Sequence, residues 1–202
     1  MLALFNSINS AVCGALGINT YLQGVIIMVC INTIAVLGMS VLTGFTRLFS
    51  FGNAGFMSIG AYTAAILTVK FNVNFLLAII LGALFAGFIA FLLGSITLRL
   101  KGDYFLITCL GFGECVRVLF NYTKNITGGS AGYPGIPAYS NALFSLVCVV
   151  LAFFAAWRFI HSKYGRNLTS IRENEMAAEA VGINAFRVKR MSFVFSAIYA
   201  GW

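Results

Sequence analysis

The sequence predicts an all-α fold, a polytopic membrane helix bundle of five full spans plus a truncated sixth. Two observations carry this. Of the 202 residues, 60% are hydrophobic and only 9% charged, whereas a soluble domain is about 25% charged. A chain of this size buries about 70–75% of its surface, so its exterior would have to be apolar. The apolar residues are also gathered into runs of about 20, the number of helical residues that cross roughly 30 Å of hydrocarbon. Disorder and extended coiled coil need many more polar residues and are excluded.

The elements follow in order. Residues 1–20 lack a basic start and carry Asn6, Ser7, Asn9, Ser10 and Asn19 within an apolar stretch, which does not fit a cleavable signal peptide. The spans are 21–44, 49–69, 74–98, 104–122 and 140–160. The second opens with Gly52, Gly55 and Gly60 close together, so it is either broken or re-entrant at its start or an ordinary helix packed very closely. The third carries Ala83 with Gly87, Ala86 with Ala90, and Ala90 with Gly94; the second carries Ala61 with Ala65. Small residues at this spacing let helix backbones approach. The loop Thr127 to Pro137 holds both prolines and is turn chemistry, either a docking surface or a compact connector. A sixth apolar run, Met191 to Trp202, reaches about 18 Å and cannot cross, so the natural chain is expected to continue.

Orientation follows from the basic residues. Arg47, Arg99, Lys101, Arg158, Lys163, Arg166, Arg172, Arg187, Lys189 and Arg190 fall in 45–48, 99–103 and 158–190, while only Lys70 and Lys124 fall in the alternate set. Positive charge stays inside. Residues 158–190 are therefore cytoplasmic, the protein is a multi-pass protein of the inner or plasma membrane, and the net charge of +8 reflects membrane orientation rather than nucleic-acid binding. The split by itself puts the amino terminus outside.

Four polar residues within spans are candidates for function. Glu114 and Arg117 lie three apart on one face of the fourth span, and Glu114 sits about 15 Å in. They form either a polar wall of a translocation pathway or a self-compensating structural pair. Asn32 and Asn53 are read as interhelical hydrogen-bonding residues. In the cytoplasmic segment a helix is expected from Ile171 to Val181, stopped by Gly182. It holds Glu173, Glu175 and Glu179, with Ala177, Ala178 and Ala180 keeping it compact, and it could fit a groove on another protein or lie solvated without a partner. No Walker A loop, HExxH or GxSxG occurs. Cys13, Cys30, Cys109, Cys115 and Cys148 are scattered without ligand spacing, and His161 reads as an interfacial polar residue. No catalytic residue, metal site or cofactor is predicted.

These motifs together resemble the LivM-type permease subunits of branched-chain amino-acid ABC importers, from about residue 21 to the end. Gly44 to Tyr62 is similar to the family's first glycine-rich block, with Asn53 where His is more common. Leu98 to Phe105, then Leu110 to Glu114 and Arg117, resembles the block that separates LivM-type from LivH-type subunits. Thr127 to Pro137 resembles the external loop. Gly165 to Asn184 resembles the loop that importers dock into their ATPases. That loop usually reads Glu-Ala-Ala, three residues, Gly; here it reads Met176-Ala177-Ala178, Glu179-Ala180-Val181, Gly182, with Glu175 one place early.

The resemblance implies a single permease domain over 1–202, incomplete at its carboxy end, with 161–190 as its cytoplasmic coupling loop. Glu175, Met176, Ala177, Ala178, Glu179 and Gly182 would be the ATPase-coupling residues. The implied partners are a homologous LivH-type permease, two cytoplasmic ATPases that hydrolyse the ATP, an external amino-acid-binding protein and membrane lipid. It also implies a span before 21–44, which residues 1–20 fill poorly and which would put the amino terminus inside. The substrate is expected to be a branched-chain or related amino acid, with urea and short amides also found in the family. The competing reading is a self-contained secondary transporter or channel that uses Glu114 and Arg117.

Overall fold

A computed structural model describes residues 19–46, 50–100, 103–123, 127–129, 132–133 and 141–202. The described residues hold helices and no strand. They are α1 (Thr20–Thr46), α2 (Asn53–Lys70), α3 (Phe75–Thr97), α4 (Asp103–Tyr122), α5 (Ala142–Ile160), α6 (Lys163–Glu173), α7 (Glu175–Ala180) and α8 (Ala185–Gly201). Four of these, α1, α3, α4 and α5, are long and apolar enough to cross a membrane. Helix is the only open-ended structure that satisfies every backbone N–H and C=O internally in hydrocarbon. Side-chain hydroxyls follow the same rule: Thr33, Thr46, Ser58, Thr68 and Thr97 each donate to the carbonyl four residues back in their own helix.

The burial pattern is the reverse of a soluble protein's. On α3 the buried residues are Ala78, Gly82, Ala83, Ala86, Gly87, Ala90, Gly94 and Thr97, while Leu81, Leu84, Phe85, Phe88, Phe91 and Leu92 face outward. Lipid tails solvate large apolar side chains as well as the protein interior does, so packing selects small residues that bring backbones together. The pair Ala61 and Ala65 does not share this role, since Ala61 is exposed.

The small face of α3 receives α8, which lies at the centre of the bundle against α1, α2 and α3. Gly60 of α2 abuts the backbone of Gly201 on α8, and a Cβ on Gly82 would lie 2.8 Å from the Gly60 carbonyl oxygen. Around these crossings Phe193 is buried with Phe56 and Phe105 edge-on to it, at ring separations of 5.5 and 5.9 Å. On the other side of α8 the Tyr199 hydroxyl donates to the Ala152 carbonyl of α5 at 2.7 Å.

Of the two readings of the second span's start the structure shows the closely packed helix, and two other boundaries differ from the sequence reading. The start of the second span is neither broken nor re-entrant: α2 runs unbroken from Asn53, with Gly55 and Gly60 buried, because their missing side chains are what admit Phe112 and Gly201. The helix that carries the sixth apolar run begins at Ala185, ahead of Met191, so Arg187, Lys189 and Arg190 belong to a helix of 17 residues. Asn184 caps it by accepting from the Arg187 N–H, and the long basic side chains reach polar or aromatic partners from within it. The single helix expected from Ile171 to Val181 is two, divided at Asn174. Residues 1–18 and much of the Thr127 to Pro137 loop, including Pro134 and Pro137, lie outside the described residues. Of that loop, Thr127 is buried, its hydroxyl bonded to the Phe120 and Thr123 carbonyls.

Sidedness is consistent with the charge pattern. The Arg172 guanidinium donates to the Gly44 carbonyl at the end of α1, 3.2 Å away, and that of Arg190 donates to Ser95 near the end of α3 at 3.3 Å. The basic-flanked ends of α1, α3, α6 and α8 thus gather at one end of the bundle. At the other, Phe75 at the start of α3 meets Phe144 at the start of α5, with ring centroids 5.9 Å apart.

Candidate functional site

At the basic end α6 and α7 form a folded platform. Its own core is Leu168, Ile171, Ala178, Ala185 and Val188, packed on Phe45 of α1 and Phe159 of α5. Asn174 makes the break. Its backbone is extended at φ −154° and ψ 110°, and its side-chain oxygen accepts the Ala177 N–H at 3.1 Å, which starts α7 afresh. An Asn followed by Glu175 in the first helical turn is a start signal. That signal was legible in the sequence, but the alanine-rich run around it masks it.

Gly182 ends α7 with φ +91°. Its N–H donates to the Glu179 carbonyl at 2.9 Å, and the Ile183 N–H reaches back to Ala178 at 3.0 Å. This paired closure is the Schellman arrangement. Ile183 then packs against the cluster that buries Ala178. Of the candidate coupling residues, only Ala178 is buried, at 5% exposure. Met176 is 85% exposed, and Ala177, Glu179 and Ala180 also face solvent. Glu175 points to α8 instead: its carboxylate meets the Lys189 ammonium at 2.6 Å. Lys189 is the residue that sequence reasoning missed, because its partner lies 14 positions away on another helix. Beside α7 lies a groove of about 610 Å³, walled by Arg166, Ser170, Glu173, Ala177 and Val181.

The other candidates stand apart from this platform, on α1, α2 and α4. Glu114 and Arg117 meet at 3.3 Å on the outward face of α4. Asn53 donates from its amide to the Ala35 carbonyl of α1 at 3.4 Å. Asn32 is exposed and donates at 2.9 Å to the Met28 carbonyl four residues back in its own helix, so the interhelical bond expected of it is not made by that group. Among the described residues no group of three or more His, Cys, Asp or Glu could hold a metal ion.

Apolar helices packed through small residues, with a folded helical platform at their basic end, define a multi-pass protein of the inner membrane. Residues 21–202 match the family described as the permease component of the branched-chain amino acid transport system, and the chain belongs to it. It is 34% identical, over 87% of its length, to the high-affinity branched-chain amino acid transport system permease protein LivM of Salmonella typhimurium, and 34% identical over 82% to the protein of the same name in Escherichia coli. The chain spans about half the length of these relatives, 49% and 47%. No solved structure matches it.

Proposed function

We propose that this chain is the transmembrane permease subunit of an ATP-binding-cassette importer and forms part of the pathway for branched-chain or related amino acids. The observation that carries the reading is the short, doubly capped helix α7 on the basic side. It is held on a core of its own and stopped by Gly182, and its sequence resembles the ATPase-docking loop of such importers. Residues 161–190 are then the coupling loop. Met176, Ala177 and Glu179 present its face, Ala178 and Gly182 set its shape, and Glu175 ties it to α8.

In this reading α2 crosses with the four longer helices, giving five spans, and α8 begins a sixth from the cytoplasmic side. The subunit hydrolyses nothing itself. ATP is turned over by two cytoplasmic ATPases, a homologous permease completes the pathway, and an external binding protein delivers the amino acid. Support for the substrate class comes from the names of the relatives; support for a separate energy source comes from the platform, which a self-sufficient secondary transporter has no reason to carry. Asn53 holds α2 against α1, while Glu114 and Arg117 face the pathway.

The test has two readouts. An affinity-tagged form of the chain should retain an ATPase subunit on purification, and cells carrying the operon should lose uptake of labelled leucine when the chain is deleted. Purification without an ATPase, together with leucine uptake driven by an ion gradient, would establish the secondary-transporter reading. Loss of labelled urea or glutamate uptake with leucine uptake intact would reassign the substrate.

A further inference from the structure

Helix α4 has two unlike faces. Phe105, Cys109 and Val116 are buried in the bundle, with Phe112 and Phe120 packed beside them. Opposite them Ile107, Leu110, Glu114, Arg117 and Val118 all point outward. The side chains of Glu114 and Arg117 are 60% and 72% exposed, and Glu114 lies about 16 Å along the helix from Asp103, near the middle of a bilayer core. Full charges set against hydrocarbon are strongly disfavoured even when paired, and such residues turn toward a bundle interior or a water-filled cavity. α4 is also the least buried of the four long apolar helices, at 11%. Its outward face therefore borders a polar space.

Resting on the importer reading, we propose that this face is a weak binding station for a zwitterionic amino acid in transit, with Glu114 taking the ammonium group and Arg117 the carboxylate. The geometry suits such a ligand in three ways. The two charges have opposite sign and stand side by side, as the ligand's own two charges do. Both side chains are long and free to part, so a ligand that enters between them exchanges one ion pair for two and leaves no charge bare at any stage. Leu110 and Val118 lie about one turn below and above Glu114 and Ile107 about two turns below it, an apolar surface for a branched side chain. The pre-existing pair keeps binding weak, as passage requires, because a site that holds its ligand tightly does not release it onward.

The experiment uses the assembled transporter in proteoliposomes. Gly111 lies one turn before Glu114 on the same face, and a Cβ added there meets nothing within 4 Å, so Gly111→Cys fits with both charges kept. With the exposed Cys115 replaced by Ala, a charged, water-borne methanethiosulfonate reagent should modify Cys at 111. Millimolar leucine should slow the modification, and the corresponding 2-oxo acid, which lacks the ammonium group, should not. A cysteine that is never modified would mean a face sealed by lipid or by another protein, and equal protection by the oxo acid would mean no zwitterion is read; either overturns the proposal. The neutral pair Glu114→Gln with Arg117→Gln removes both charges together. It should assemble in normal amount, with leucine uptake lower by about 10–100-fold, the factor of a charge-assisted hydrogen bond. Undiminished uptake would leave the pair a structural one. If the unaltered complex itself takes up no leucine, it is the importer reading that fails.

Discussion

Replacing Gly182 tests whether the shape of α7 transmits coupling. Its φ of +91° lies where an L-residue is strained by about 1–2 kcal/mol, with Asn strained least and a β-branched residue most. A Cβ at this position has nothing within 4 Å, so no collision adds to the backbone term, and the ranking Gly, Asn, Ala, Val should follow conformational preference alone. Six residues make α7 far too short to be stable in isolation. About 1.4 kcal/mol therefore lowers the population of the closed helix end roughly tenfold relative to its frayed form. The carbonyls of Ala178 and Glu179 released by fraying can turn to water, so the bundle itself should be unaffected. Gly182→Val should accumulate in the membrane normally yet lose most leucine uptake and most stimulation of its ATPase; Gly182→Asn should keep much of both. A Val variant with unchanged uptake and stimulation would refute the coupling assignment, and an Asn variant as damaged as Val would refute the backbone-strain argument.

Three further outcomes follow from the packing. Gly60→Leu drives a branched side chain into the Gly201 backbone, and overpacking of this kind costs about 1–3 kcal/mol or more; the thermal transition of the detergent-solubilised protein should fall, whereas Gly24→Leu, with open space around it, should leave it in place. Tyr199→Phe removes the hydroxyl that donates to Ala152 at 2.7 Å and should destabilise by about 0.5–1.5 kcal/mol in unfolding titrations, an unchanged midpoint speaking against that bond. The Glu175 to Lys189 pair is half exposed on its acidic side, so Lys189→Gln should alter stability by less than about 1 kcal/mol. It should nevertheless loosen α7 from α8, seen as weaker ATPase stimulation at full accumulation, and full stimulation would show that the tether carries no coupling.

The membrane fold was legible in composition and run length, because the demand for internally satisfied backbone groups in hydrocarbon admits so few alternatives to helix. The clustering of the basic segments was legible too, since ten of the thirteen basic residues lie in three segments whose described parts the structure gathers at one end of the bundle. Gly182 was readable as a stop, because its flexibility is a property of the residue itself. Other features were not local and could not be read this way. Glycines of α2 look like helix breakers until α4 is set against Gly55 and α8 against Gly60, and only then does their want of a side chain become a packing surface. The break at Asn174 was hidden because helix propensity favours continuing through the alanines, whereas docking Ala178 and Ile183 on the core of α6 and α8 favours a turn. The pairing of Glu175 with Lys189 depends on two helices meeting across a reversal of the chain. Local signals fix what each segment can form, but small-residue contacts between segments decide which faces are buried, and that decision exists only once the helices are packed.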